Sequence, residues 1–360
     1  MSKDTQEAVM EALGHVMDPE LHSDLVTLNM IHDLSIEGGK ANFTIRLTTP
    51  ACPLKDEIGQ AARTAVLAVD GIHEVTINWD SQIPGDSRIK DKIDVPLRNI
   101  IAVSSGKGGV GKTTVSVNLA LALAETGASV GILDADILCP NVPTMLGLPS
   151  RPPATVGEGD DRKIIPFEAF GVHVMSMGFL VGQGQPLIWR GPMLHGAIRQ
   201  LFEDVQWPEI DYMFVDLPPG TGDAQLSLAQ SVPLTGAIIV TQPQRVALGD
   251  ALRGLAMFEE MNVPILGIVE NMSGELFGRG GAEALAQQTG VPYLGSIPQD
   301  SKVRVAGDEG KPVVVSAPES EAAAAIKGLS CTIAARISVL TTKRNDLDFE
   351  HMQKLKVKQG

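Results

Sequence analysis

Residues 99–127 read "NIIAVSSGKGGVGKTTVSVNLALALAETG", and their order decides the fold. A short apolar run is followed by a glycine-rich turn, then by a long stretch of helix-forming apolar residues. Gly106, Gly108, Gly109 and Gly111, with Val110 between them, leave backbone N–H groups able to turn inward around an anion. The helix that follows adds the positive end of its dipole. This strand–loop–helix setting separates a phosphate loop from a chance glycine turn. Lys112 stands where a cation neutralises the β- and γ-phosphates of a nucleoside triphosphate. The hydroxyl of Thr113, next to Thr114, stands where Mg²⁺ is ligated. A second lysine, Lys107, lies near the start of the loop, where an ordinary phosphate loop has none.

Outward from this stretch the same texture repeats. "SVGILDAD", "HVMSMG", "YMFVDLPP", "GAIIVTQP", "PILGIVENM" and "YLGSIP" are apolar runs, most of them separated by helical segments. Continuous apolar strands alternating with helices predict an α/β fold, a doubly wound and mostly parallel sheet buried on both faces. Several runs end in Asp, Asn, Gly or Pro, which gathers polar chemistry at the carboxyl edge, where such sheets bind ligands. Asp216 ends one strand and is expected to hold Mg²⁺ through water, and Gly220 follows, its N–H directed toward a γ-phosphate. Asp134 and Asp136 end another. Asp136 is expected to orient the attacking water; Asp134 serves either the metal or a local hydrogen-bond frame. Asn271, at a later strand end, is expected to read the adenine edge.

Before residue 98 the pattern differs. Val9, Leu13, Val16 and Met17 give an amphipathic helix ending before Asp18-Pro19. "MIHDLSI" and "ANFTIRLTT" read as strands joined by a hairpin at Glu37-Gly38-Gly39. A helix over about 55–69 and a strand "EVTINW" complete a small α+β domain over residues 1–80. Residues 81–97 read as a linker, 98–343 as the nucleotide domain and 344–360 as a charged tail. The 360 residues carry a net charge of −14, which argues against coating nucleic acid or anionic lipid. The polar start lacks a signal-like core, and no apolar run suggests a membrane span. Three widely spaced cysteines (Cys52, Cys139, Cys331) fit a reducing, cytoplasmic setting.

The loop with its second lysine resembles the deviant Walker A ATPases, the P-loop class that includes the MinD/ParA proteins. "DADILCPNVPTMLG", "VDLPPGTGD", "VTQPQ", "VENMS" and "VPYLGSIPQD" together resemble the Mrp family of iron–sulfur carrier ATPases, over about residues 98–340. "VMDPELHSDLVTLNMI" and "TTPACPL" resemble the iron–sulfur assembly domain fused in front of bacterial Mrp proteins. The resemblance implies ATP and Mg²⁺ as cofactors, a homodimer, and iron–sulfur apoproteins or assembly factors as partners; the net charge of −14 and the charged tail lead to no nucleic acid and no membrane among the expected partners. It implies that Lys107 reaches across the dimer to the partner's phosphates, in the manner of an arginine finger. It also implies a C-x-x-C pair soon after Asn271, which "VENMSGELFGRGGAEALA" lacks. Cys52, before Pro53 and a helix start, is then the candidate iron–sulfur ligand. Cys139 reads as inert packing, with a redox sensor as the alternative, and Cys331 as core. The functional expectation is an ATP-hydrolysing iron–sulfur carrier; the alternative is a nucleotide-switched adaptor of the MinD/ParA class that binds no cluster.

Overall fold

The computed structural model describes residues 3–359 except 138, 150, 181–190, 221, 223–224 and 227–230. Thr221 and Asp223 of the "VDLPPGTGD" motif therefore lie outside the described residues. The chain forms two units, one of residues 1–84 with 334–343, the other of residues 85–333 with 344–360.

In the first unit, helix α1 (Lys3–Leu13) and helix α2 (Lys55–Leu67) accompany three strands: β1 (Ile31–Glu37), β2 (Lys40–Leu47) and β3 (Glu74–Ser81). The order is β1-β2-β3, antiparallel then parallel. Gly38 and Gly39 both take positive φ, 56° and 80°, between paired Glu37 and Lys40. Two left-handed residues are what a tight hairpin turn requires, so the expected turn forms. Ile58, Ala62 and Val66 recur every four residues on α2 and bury one face in a core with Phe43 and Ile45. Met17 departs from expectation: α1 stops at Leu13, and Met17 falls in a short extended bridge, 53% exposed.

The second unit holds the predicted sheet. Its strands are β4 (Leu97–Ser104), β5 (Val130–Asp134), β6 (Phe167–Ala169), β7 (Val172–Ser176), β8 (Ile210–Asp216), β9 (Gly236–Thr241), β10 (Ile265–Ser273) and β11 (Tyr293–Pro298). Among the described residues their order is β6-β7-β5-β8-β4-β9-β10-β11, parallel throughout except for the antiparallel edge strand β6. All six residues of β9 and all five of β5 are buried, as strands covered on both faces must be. The glycine loop feeds helix α4 (Lys112–Glu125), whose Val115, Val117, Leu119 and Leu123 are buried. The first strand of the sheet lies between β8 and β9, so the loop leaves the middle of the carboxyl edge, where the direction of winding reverses.

Three segments differ from the sequence reading. Residues 81–97 contain a short helix, α3 (Ser87–Lys92), capped by Asp86; its Ile89 joins the core of the second unit, so that stretch is not simply extended. Residues 344–359 continue a long helix, α5 (Glu321–Gln359), instead of forming an irregular tail. Its later turns are tied down: Arg344 Nη1 donates to Asp86 Oδ2 at 2.7 Å, and Asn345 Nδ2 to the Gly85 carbonyl at 3.0 Å. The side chains of Phe349, Met352 and Leu355, spaced three residues apart along it, lie outside the described ones. The portion Glu321–Asn345 is also long and apolar enough to cross a membrane by length and composition, which the sequence reading did not anticipate. Half of its most apolar window is buried within the fold, as in a core helix of a globular protein.

Candidate active site

Strand pairing brings the chemistry together. β8 and β5 run parallel in a register that sets Asp216 opposite Asp134, both at strand ends and both fully buried. The same strand pairs Asp216 with Val103 of β4, one residue before the sheet gives way to the loop. Lys112, at the first turn of α4, is 6% exposed and places its Nζ 2.7 Å from Asp216 Oδ2. The Thr113 hydroxyl donates to the same oxygen at 2.7 Å. A cavity of about 300 Å³ opens beside them, lined by Gly108, Gly109, Gly111, Lys112, Thr113 and Asp136 among others.

Two glycines are fixed by space. A Cβ on Gly106 would collide with the backbone of Asp250, and one on Gly111 with the Asn271 amide. Gly111 also holds φ 80°, which L side chains rarely adopt. Lys107 is half-buried, and its carbonyl accepts from the Ser105 hydroxyl at 3.0 Å.

The acidic residues divide by their hydrogen bonds. Asp134 accepts the Asp136 N–H at 3.1 Å on one oxygen, and the Ser176 hydroxyl at 2.9 Å and the Val142 N–H at 3.3 Å on the other. It therefore ties the end of β5 to the following loop and to β7. Burial, then the neighbouring Asp216 charge, push its carboxyl up to about 8. Burial also raises Asp216, against the pull of Lys112 and Thr113. Asp216 Oδ1 is buried with no hydrogen-bond partner. An orphaned carboxylate oxygen next to a threonine hydroxyl suits a hard divalent cation, so these residues fit Mg²⁺. Asp136 is 4% exposed, lines the cavity, and takes the Cys139 N–H at 3.1 Å.

Several expectations change in detail. The Gly220 N–H donates to the Ser105 carbonyl at 3.0 Å, so in this conformation it is engaged with the loop, not open to a phosphate. Cys139 is not packed in a core: it is exposed and lines the cavity beside Asp136. Asn271 directs its amide Nδ2 to the Val110 carbonyl at 2.9 Å while also lining a second cavity, of about 570 Å³, with Thr114, Met145, Phe277 and Arg304. Cys52 precedes the helix cap, which is Leu54; half-buried, it packs against the core of the first unit. Burial raises the thiol of Cys331, which is half-buried on α5. Among the described residues no cluster of three or more His, Cys, Asp or Glu side chains could hold a metal. Where the C-x-x-C pair is missing, Gly274 and Gly278 exchange two backbone hydrogen bonds of 2.9 and 2.8 Å and close a tight hairpin.

Sequence reasoning passed over two residues. Gln225 is buried and donates to the carbonyls of Pro218 and Gly220, each at 2.7 Å, which fixes the loop after Asp216. Gln242 donates to Met272 Sδ at 2.9 Å and approaches the Gly109 carbonyl at 3.5 Å. Its place directly after an apolar strand, in "VTQP", was the available signal.

Residues 96–334 match the model of the ParA family described as the NUBPL iron-transfer P-loop NTPase, and residues 6–79 match that of an iron–sulfur cluster assembly protein. The iron–sulfur cluster carrier protein of Synechocystis is 49% identical over 347 residues, spanning 93% of this chain and 98% of that protein. Its counterpart in Deinococcus radiodurans is 48% identical, over 93% and 96%. Among solved structures, the nucleotide-binding protein of Archaeoglobus fulgidus in complex with ADP is 37% identical, with a TM-score of 0.53 over 63% of this chain and 91% of that one. The cell-division ATPase MinD of Pyrococcus furiosus is 28% identical, with a TM-score of 0.52 over 65% and 98%. The site and these likenesses agree on ATP, Mg²⁺ and ATP hydrolysis, and a cytoplasmic setting accords with the bacterial carriers. The chain belongs to the family of iron–sulfur cluster carrier proteins built on a ParA-type P-loop ATPase.

Proposed function

We propose that this chain is an ATP-driven carrier or scaffold that passes iron–sulfur clusters to apoproteins, working as a homodimer. The observation that carries the reading is the Lys112–Asp216–Thr113 group at the mouth of the phosphate cavity, in a chain that also carries a unit of the iron–sulfur assembly type. Without nucleotide, Asp216 holds Lys112. An incoming triphosphate competes for that cation and draws Nζ toward its β- and γ-oxygens. Asp216, released, and the Thr113 hydroxyl would hold Mg²⁺, Asp216 through water, and the ion would supply positive charge to the triphosphate. Asp136 accepts a hydrogen bond from water and orients it. The water oxygen attacks the γ-phosphorus as the bond to the β-bridging oxygen breaks, giving ADP and phosphate. Asp134 frames the loop that presents Asp136. Lys107 completes the site of the second copy, so hydrolysis depends on assembly.

The cluster is cargo, and Cys52 is its candidate thiolate. One thiolate per chain is an incomplete donor set, so the other ligands come from a second copy or from the recipient. A second reading, an ATP-switched adaptor that carries no cluster, is favoured by one observation: the thiol-free hairpin Gly274–Gly278. Anaerobic reconstitution with iron and sulfide, read by iron content and visible absorption, separates them. Bound iron with a chromophore that disappears in Cys52→Ala supports carriage by the first unit. No iron on the native chain overturns carriage and leaves the adaptor.

A further inference from the structure

The glycine loop is supported from behind by side chains belonging to two later strands. The Gly109 carbonyl is approached by Gln242 Nε2 from the end of β9, the Val110 carbonyl by Asn271 Nδ2 from β10, and the Gly111 carbonyl by the Val115 N–H of α4. Three successive carbonyls are thus held by donors outside the loop. In a trans peptide the N–H points opposite to the C=O. Fixing the carbonyls of 109, 110 and 111 therefore aims the N–H groups of Val110, Gly111 and Lys112 toward the side where an anion sits. Both amides are buried, Gln242 at 5% and Asn271 at 4% exposure. A buried amide is costly unless its donors are used; Asn271 uses one on the loop, and Gln242 divides its Nε2 between Met272 Sδ and the loop.

The backbone around Asn271 is bent to make this contact. Met272, the next residue, holds φ 57°, a left-handed value uncommon for a side chain other than Gly, Asn or Asp. The register of β10 against β11 breaks between Glu270 and Ser273. The kink directs the Asn271 amide beneath Val110, and Gly111 must lack a Cβ because that amide occupies the space. Met272 Sδ in turn receives Gln242 Nε2, which joins the two supports.

We propose that Asn271 and Gln242 are positioning residues that preorganise the anion cradle, acting on the triphosphate through the loop backbone. The inference rests on the loop being the triphosphate site. If the Asn271 donor is removed, the Val110 carbonyl is left buried and unpaired. The peptide then rotates to find a partner and takes the Gly111 N–H out of the cradle.

The test uses Asn271→Leu, similar in volume but without a donor, and Gln242→Leu. Calorimetric affinities are measured with Mg²⁺ for ATP, GTP and inorganic tripolyphosphate, which has no base. Asn271→Leu is expected to weaken tripolyphosphate about tenfold, for one buried hydrogen bond, and ATP at least as much. Gln242→Leu, whose contact to the loop is longer, is expected to lose about threefold in the same way. Tripolyphosphate affinity that survives in both variants overturns the proposal. So does a loss in Asn271→Leu confined to the nucleotides, with tripolyphosphate unchanged, which would make Asn271 a reader of the base alone. If Asn271→Leu does not fold, Gln242→Leu decides, because it acts on the neighbouring carbonyl. A wild-type chain that binds neither ATP nor tripolyphosphate would instead remove the nucleotide reading itself.

Discussion

Lys112→Met leaves Asp216 fully buried without the cation now 2.7 Å from it. Breaking a buried ion pair by removing one partner costs about 3–5 kcal/mol, because the other charge remains uncompensated. A carboxylate has an escape, which is to take up a proton. The cost of that route is set by pH, about 1.4 kcal/mol for each unit above the unfolded value of 3.8. At pH 5 it is about 1.6 kcal/mol, and by pH 8, at about 5.7 kcal/mol, it exceeds the cost of leaving the charge bare. The destabilisation is therefore expected to grow from about 1.5 kcal/mol at pH 5 to about 3–5 kcal/mol at pH 8. Lys112→Met/Asp216→Asn, which removes both charges, should recover most of the loss at pH 8. The assay is urea unfolding of the nucleotide-free chain in chelator at several pH values. Fluorescence of Trp207, buried in the core of the second unit, reports the transition, with the other two tryptophans replaced by phenylalanine throughout. A penalty that is flat between pH 5 and 8, or a double variant as unstable as the single one, would refute the reasoning.

Asp134 gives a second pH signature. Its carboxyl is raised to about 8, so the folded chain retains a proton that the unfolded chain releases near 3.8. That contribution is full below pH 3.8 and is lost as pH rises through about 8. Unfolding of the metal-free wild type should therefore become easier across that window, and Asp134→Asn should flatten the slope; equal slopes would remove Asp134 as the source. Gly111→Ala is expected to lose about 1–2 kcal/mol from the left-handed backbone alone, roughly 2–8 °C in melting temperature, and to displace the Asn271 amide. Wild-type melting with undiminished ATP binding would contradict the close packing described here. Lys107→Ala should keep ATP binding while hydrolysis falls by about 10³-fold, the lower range for a cation supplied in trans; unchanged turnover would exclude that role.

The parallel strands were legible because each is an apolar run bounded by turn residues, and the loop because its lysines, threonines and glycines stand in a fixed order. The edge strand Phe167–Ala169 was not, since three residues against one neighbour leave almost no pattern. Residues 344–359 looked like a tail because their composition is charged. What holds the start of that segment is a buried carboxylate 258 residues earlier, a distance no local pattern reports. The role of Asp134 was left open between metal and frame, because the partners that show it, Ser176 and Val142, are set by strand pairing. Asn271 was recognised by position, but its contact to the loop was not foreseen. Which carbonyl its amide meets depends on the left-handed turn at Met272, and methionine gives no sign of one.

The wiring of the sheet also sets a timetable for synthesis. Asn99, on the first strand, donates to a carbonyl 112 residues downstream, and the Val110 carbonyl awaits an amide 161 residues downstream. At about 5–20 residues per second, the glycine loop leaves the ribosome roughly 8–30 s before its support exists. The three strands of the first unit pair locally and can form much earlier, while residues 334–343 of that unit come last. A nascent chain of this protein therefore carries a paired three-stranded sheet ahead of an open, apolar half-sheet. It can bind nucleotide only after most of its length has been translated.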